Sequence, residues 1–169
     1  MIVIADAGPL IALARIDQLP LLPALFGEVV VTEAVATELL AGVFAETARL
    51  KAALSAPWCK QRPKVVALAE RGAKLASTHL IGAGESSAIA LAQHFNERAT
   101  PSLVLIDDSR GRRAARRLKI TLIGTTGVLL LGKQAQLVSA VAPLVEELKR
   151  SGYFLSDRLI EAAHKQAGE

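Results

Sequence analysis

Residues 102–124 read SLVLIDDSRGRRAARRLKITLIG, and the order of residue types in this stretch decides the fold. Ser102 to Ile106 is a short apolar run that stops at Asp107-Asp108, Ser109 to Leu118 has helical composition, and Ile120 to Ile123 is apolar again. An apolar run without alternating polar residues suits a strand buried on both faces, as in a parallel sheet. Strand, helix and strand in this order imply a right-handed crossover, and in such open sheets ligands gather outside the carboxyl ends of the strands.

Outward from that stretch the same pattern recurs. Ile2 to Ala5 is a short apolar run broken by Asp6 and Gly8-Pro9, so it ends a buried strand and hands over to a helix through Leu10 to Ala14. Leu19 to Phe26 is a second apolar segment, and Glu28 to Val31 is a β-branched second strand. Thr32 caps a helix that reaches Leu40 or Ala41, with Gly42 as its stop. Residues 43 to 54 read as helix, Pro57 to Pro63 as irregular or briefly extended, and Lys64 to Ala76 as helix again. Gly82-Ala83-Gly84 frees the backbone before a helix from Glu85 to Glu97, whose Ala88, Leu91, Ala92 and Phe95 share one side. Helices from about Thr126, Ser139 and Ser156 complete the chain, with Ser139 and Ser156 as caps.

The 169 residues suit one domain over 1–169, with the helices from about 126 packing on it. Half of the residues are hydrophobic but only 4% are aromatic, so the core is aliphatic and the class is α/β. Cys59 is the sole cysteine, which excludes an internal disulfide and fits a buried, inert thiol in a reducing cytosol. The first apolar stretch follows no basic region and is interrupted by Asp6, which argues against a secretory signal. Ile120 to Gly132, closed by Lys119 and Lys133, is too short to span a bilayer. A soluble, cytoplasmic protein without a membrane partner is therefore expected.

Asp6, Glu85 and Asp107-Asp108 stand at strand ends or helix starts that this topology brings to one sheet edge. Gathered carboxylates repel and raise one another's pKa unless a cation resolves the conflict. Hard oxygen donors without organised Cys or His suit Mg²⁺ or Mn²⁺ and not zinc, and one or two such ions suit phosphodiester hydrolysis. The same residues also have ordinary structural uses: Asp6 as a helix cap, Glu85 as a first-turn charge, Asp107-Asp108 as an Asx-type turn.

The net charge is only +4, but positive charge concentrates in Arg110, Arg112, Arg113, Arg116, Arg117 and Lys119, which share one arc of a helix opposite Ala114, Ala115 and Leu118. That face can neutralise an RNA backbone next to the acidic edge, or be a solvated or acid-paired surface. Scattered aromatics make base stacking a weak expectation. Gly127 to Lys133 has the G-x-x-x-x-G-K spacing of a P-loop, but the intervening residues are an apolar helical run and Gln134 stands where Mg²⁺ needs a hydroxyl. Thr125 and Thr126 read as caps near the site. His79, His94 and His164 lack metal or triad spacing, and Tyr153-Phe154-Leu155 is core packing or a partner surface. A phosphatase with Asp6 as nucleophile wants a second Asp where Gly8 stands, and a phospho-receiver domain wants its acidic pair after the first strand.

The chain resembles the PIN-domain ribonucleases, in particular a toxin-like subgroup related to the VapC toxins. The resemblance rests, in order, on IADAGPLIALARI (4–16), VVVTEAVATELLAG (29–42), GAGESSAIALAQ (82–93), LVLIDDSRGRRAARRLKI (103–120) and IGTTGVLLLGKQAQLV (123–138). It implies a three-layer α/β/α sandwich around a parallel sheet, Mg²⁺- or Mn²⁺-dependent endoribonuclease activity, a homodimer and inhibition by a cognate antitoxin. It also implies Asp6, Glu38, Glu85 and one or both of Asp107 and Asp108 as metal-binding carboxylates. The residues alone leave Glu33 and Glu38 open, since Glu33 is nearer the strand end and Glu38 is about 8 Å further along the helix. One departure stands at the first motif: relatives often carry a hydroxyl residue one or two places after the aspartate, where this chain has Ala7 and Gly8. The competing expectation is a catalytically inactive PIN-like module that binds RNA or protein.

Overall fold

Five short strands lie side by side in the computed structural model, which describes residues 1–42, 45–62 and 66–169. They are β1 (Ile2–Ala5), β2 (Val29–Thr32), β3 (Cys59–Arg62), β4 (Ser102–Leu105) and β5 (Thr121–Ile123), all parallel, in the order β3-β2-β1-β4-β5. Around them run α1 (Ala7–Arg15), α2 (Leu21–Phe26), α3 (Glu33–Ala41), α4 (Thr47–Ser55), α5 (Val66–His79), α6 (Ala83–Asn96), α7 (Ser109–Arg117), α8 (Thr125–Gln134), α9 (Ala142–Arg150) and α10 (Asp157–Ala167). The expected α/β/α sandwich is what the chain adopts.

The pleat sends alternate strand residues to opposite faces, and both faces are covered. Val3, Ala5, Val29, Val31, Leu103 and Leu105 join one core cluster with residues of α1 to α4 and α8 to α10. Ile4, Val30, Val104 and Ile106 join the other, with residues of α5, α6 and α7. Two-sided burial is why these strands read as unbroken apolar runs.

β1 is central, with β2 and β3 added on one side and β4 and β5 on the other, so the connections diverge at the carboxyl ends of β1 and β4. That divergence opens a crevice where side chains from both halves meet. Asp6 and Asp107 follow those two strands.

Two local expectations are sharpened by the structure, and a third, the Ser139 cap, is overturned. Within Pro57 to Pro63, the briefly extended part is β3, a full sheet member in register from Val29↔Cys59 to Thr32↔Arg62. As an edge strand it buries only Cys59 and exposes Lys60, Gln61 and Arg62, so it lacks an apolar run. The helix expected over 43 to 54 begins at Thr47; residues 43–44, like 63–65 beside the start of α5, lie outside the described residues. Ser139 caps nothing: α9 starts at Ala142, and the backbone N–H groups of Val141 and Ala142 donate to the Glu169 carboxylate, which Lys133 also engages. Ser156 does cap α10, accepting from Leu159 N–H. Cys59 is buried, and burial pushes its thiol up to about 11, in keeping with an inert group. Among the described residues no helix is long and apolar enough to cross a membrane.

Candidate active site

Asp6 occupies the N-cap position of α1, yet its side chain makes no capping hydrogen bond. It is 4% exposed, and its Oδ1 is buried without a partner. Whatever the helix start takes from the other oxygen, Oδ1 is left over, and a buried polar atom without a partner is uncommon. Burial pushes the Asp6 carboxyl up to about 7, the Glu85 and Glu38 charges add to this, and the nearby Ala7 and Gly8 N–H groups offset part of it.

Glu38 comes to the same place from α3, as the surroundings of Gly84 show. A Cβ on Gly84 would lie 2.8 Å from Glu38 Oε2 and 2.9 Å from Asp6 Oδ1, so both oxygens border the space that a methyl would fill. Glu38 is raised too, first by partial desolvation and then by Glu85. Glu33, exposed like Glu38, lines another concavity, about 530 Å³ between α3, α5 and α6, whose walls include Thr32, Arg62, Leu68 and Gly72 but not Asp6, Glu38 or Glu85. Geometry thus groups Glu38, not Glu33, with Asp6.

Glu85 lies in the first turn of α6, its carboxylate directly over Gly82 and its Cγ 3.3 Å from where a Gly111 Cβ would stand. Glycine at 111 lets α7 close against both Glu85 and the fully buried Ile106, whose Cδ1 is 2.5 Å from the same point. Gly111→Ala is expected to lower stability by a net of about 1–2 kcal/mol, because overpacking outweighs the gain in helix propensity. The measurable result is a thermal midpoint lower by roughly 3–6 °C.

Asp107 and Asp108 diverge. Asp108 is exposed and its Oδ1 caps α7, accepting from Arg110 N–H at 2.9 Å and Gly111 N–H at 2.7 Å. Asp107 reaches across to α8: Oδ1 accepts from Thr125 N–H at 2.9 Å, and Oδ2 accepts from the Thr125 hydroxyl at 2.5 Å and the Tyr153 hydroxyl at 2.7 Å. Thr125 is therefore not a self-contained cap but half of a contact with Asp107. Tyr153, which the sequence assigned to core or partner surface, has its hydroxyl at the acidic edge; nothing local in the sequence signals this. Burial and the Asp107 charge push its phenol well above the ordinary tyrosine range, so it stays a donor.

On α7, Arg112 turns inward and donates to the Ile106 carbonyl at 2.8 Å, while Arg110 reaches the Leu80 carbonyl at 3.4 Å. Arg113, Arg116 and Arg117 are exposed and form no hydrogen bond or ion pair among the described residues. Acid pairing of this face is thus limited to the electrostatic influence of Asp107 on Arg112.

By chemistry the donors suit a hard divalent cation: Asp6 Oδ1 is buried without a partner, Glu38 Oε2 lies against the same Gly84 position, and the Glu85 charge acts on both. As the side chains stand, no group of three or more His, Cys, Asp or Glu among the described residues is placed to hold a metal ion. A family model described as a PIN domain, DUF3368, matches residues 2–169. The chain belongs to this PIN-domain family. PIN domains are in general nucleases, typically using divalent metal ions. No curated protein matches this PIN domain.

Proposed function

We propose that this PIN domain is a Mg²⁺- or Mn²⁺-dependent endoribonuclease acting as the toxin of a cytoplasmic toxin–antitoxin pair. The observation that carries this reading is the buried, partnerless Oδ1 of Asp6 bordering the same Gly84 position as Glu38 Oε2, with Glu85 close enough to raise both carboxyls. Asp6, Glu38 and Glu85 are the residues that would hold the cation, with Asp107 following the neighbouring strand. A divalent ion supplies charge neutralisation for phosphoryl oxygens and acidification of a water.

The remaining work falls to the chain's own groups. The crevice wall supplied by β1, α1 and α6 excludes water from Asp6 and so keeps its interactions strong. Thr125 and Tyr153 orient Asp107, and Asp108 holds the first turn of α7. Arg113, Arg116 and Arg117 are free to neutralise an RNA backbone leading from the acidic crevice. Replacing all three by alanine is expected to weaken RNA binding about 10- to 30-fold near 0.1 M salt and to flatten the salt dependence by roughly two units of log–log slope. Fluorescence anisotropy over a salt series measures both.

Purified protein, freed of inhibitor and supplied with Mn²⁺, should cut single-stranded RNA internally, and Asp6→Asn should not. RNA binding without any cleavage, indifferent to metal, would make it the inactive module instead. The antitoxin partner and homodimer belong to the same reading and rest on family resemblance alone.

A further inference from the structure

We propose that Tyr153 is a positioning residue of this reaction, its hydroxyl fixing the Asp107 carboxylate at the end of β4, the strand next to the one that Asp6 follows; the proposal rests on the nuclease reading above. Tyr153 stands in the turn between α9 and α10, distant in sequence from every acid in the crevice. Its ring packs against the first core cluster, and its hydroxyl donates to Asp107 Oδ2 at 2.7 Å. A Cβ on Gly8 would lie 3.7 Å from Asp6 Oδ2 and 3.7 Å from the phenol oxygen, so this hydroxyl enters the space next to Asp6.

The backbone holds the ring firmly in that place. Gly152 has φ +78°, its N–H donates to the Lys149 carbonyl at 3.1 Å, and Tyr153 N–H donates to the Leu148 carbonyl at 3.1 Å. These two bonds close a Schellman motif at the end of α9, with glycine in the left-handed position and Tyr153 as the next residue. Such a turn directs the side chain by main-chain hydrogen bonds and not by loose packing.

Asp107 explains why a hydroxyl is wanted there. An ionised carboxylate accepts at about four positions. Thr125 fills one on each oxygen and Tyr153 fills the second on Oδ2, so one position on Oδ1 stays open. Without the phenol proton, Thr125 is the remaining hydrogen-bond partner of the carboxylate among the described residues, and Oδ2 loses one of its two donors. Ala7 and Gly8 offer no hydroxyl of their own, and the phenol oxygen of Tyr153 stands 3.7 Å from where a Gly8 Cβ would lie, with its proton on Asp107.

Tyr153→Phe deletes only the hydroxyl. It should lower kcat on RNA about 10- to 30-fold with KM unchanged within about twofold, and lower Mn²⁺ affinity by calorimetry about 5- to 10-fold. The thermal midpoint should stay within about 3 °C, since ring packing is retained. Adding Gly8→Ser to Tyr153→Phe should restore several-fold of the lost kcat, because a hydroxyl then stands between Asp6 Oδ2 and the vacated phenol position. A purely structural tyrosine would not be rescued in this way. Unchanged kcat and Mn²⁺ affinity in Tyr153→Phe, or a loss that Gly8→Ser does not reduce, overturns the proposal. If the wild type binds Mn²⁺ but cuts no RNA, the nuclease reading falls by itself and Tyr153 is judged on Mn²⁺ affinity. A wild type that takes up no Mn²⁺ overturns both.

Discussion

Asp6→Asn should reduce RNA cleavage at least about 10³-fold and, in metal-free protein at pH 8, make the domain more stable than the wild type. The second effect follows from the carboxyl being pushed up to about 7 by burial and by Glu85 and Glu38. A raised acid pKa means that the folded state binds the proton more tightly than the unfolded chain. Between about pH 4 and 7 the native state therefore carries more protons, and stability falls as pH rises through that window. Well above pH 7 the penalty is complete, on the order of 4 kcal/mol for a shift of this size. Asparagine is never charged and escapes it, so in EDTA at pH 8 the variant should melt higher by several degrees, with the advantage gone near pH 4. Mn²⁺ should reverse the ranking by stabilising only the wild type through mass action. Melting curves across pH 4 to 8, with EDTA and with Mn²⁺, check every part. A variant that melts lower than wild type at pH 8 in EDTA would show that Asp6 is not destabilised by its neighbours.

Gly84→Ala should abolish Mn²⁺ binding, by at least about 100-fold, and cleavage with it, while the fold and RNA binding through α7 persist. In an ordinary helix interior this substitution gains about 1 kcal/mol of helix propensity. Here the new methyl lands 2.8 Å from Glu38 Oε2, 2.9 Å from Asp6 Oδ1 and 3.5 Å from Val35 Cγ2, filling the space that both carboxylates border. Calorimetry with Mn²⁺ and anisotropy with RNA separate the two losses. Retained Mn²⁺ affinity would mean that the cation is held elsewhere, and Asp6 and Glu38 would lose their proposed role.

Much of the candidate site was legible because its acids follow strand ends. Asp6 and Asp107 follow Ala5 and Ile106 at breaks in apolar runs, and Glu85 opens a helix behind two glycines. Glu38 was not legible from residues alone, since its choice over Glu33 depends on how α3 is rotated against α6. The separate fates of Asp107 and Asp108 were equally hidden: adjacent residues on an extended backbone point to different sides, one to Thr125 and Tyr153, the other to its own helix. Arg112 likewise left the cationic arc for the Ile106 carbonyl, which a helical wheel does not reveal.

By itself the sequence determined the alternation of parallel strands and helices, the burial of β1, β2 and β4 on both faces, and the basic helix after Asp108. Those features depend on period, run length and chain-breaking residues, which are local. Only the tertiary structure decided that Cys59–Arg62 joins the sheet, that Glu169 serves α9 in place of Ser139, and that Tyr153 reaches Asp107. Each of these joins groups far apart in the chain, and their partners are chosen by packing and desolvation, which no sequence window contains.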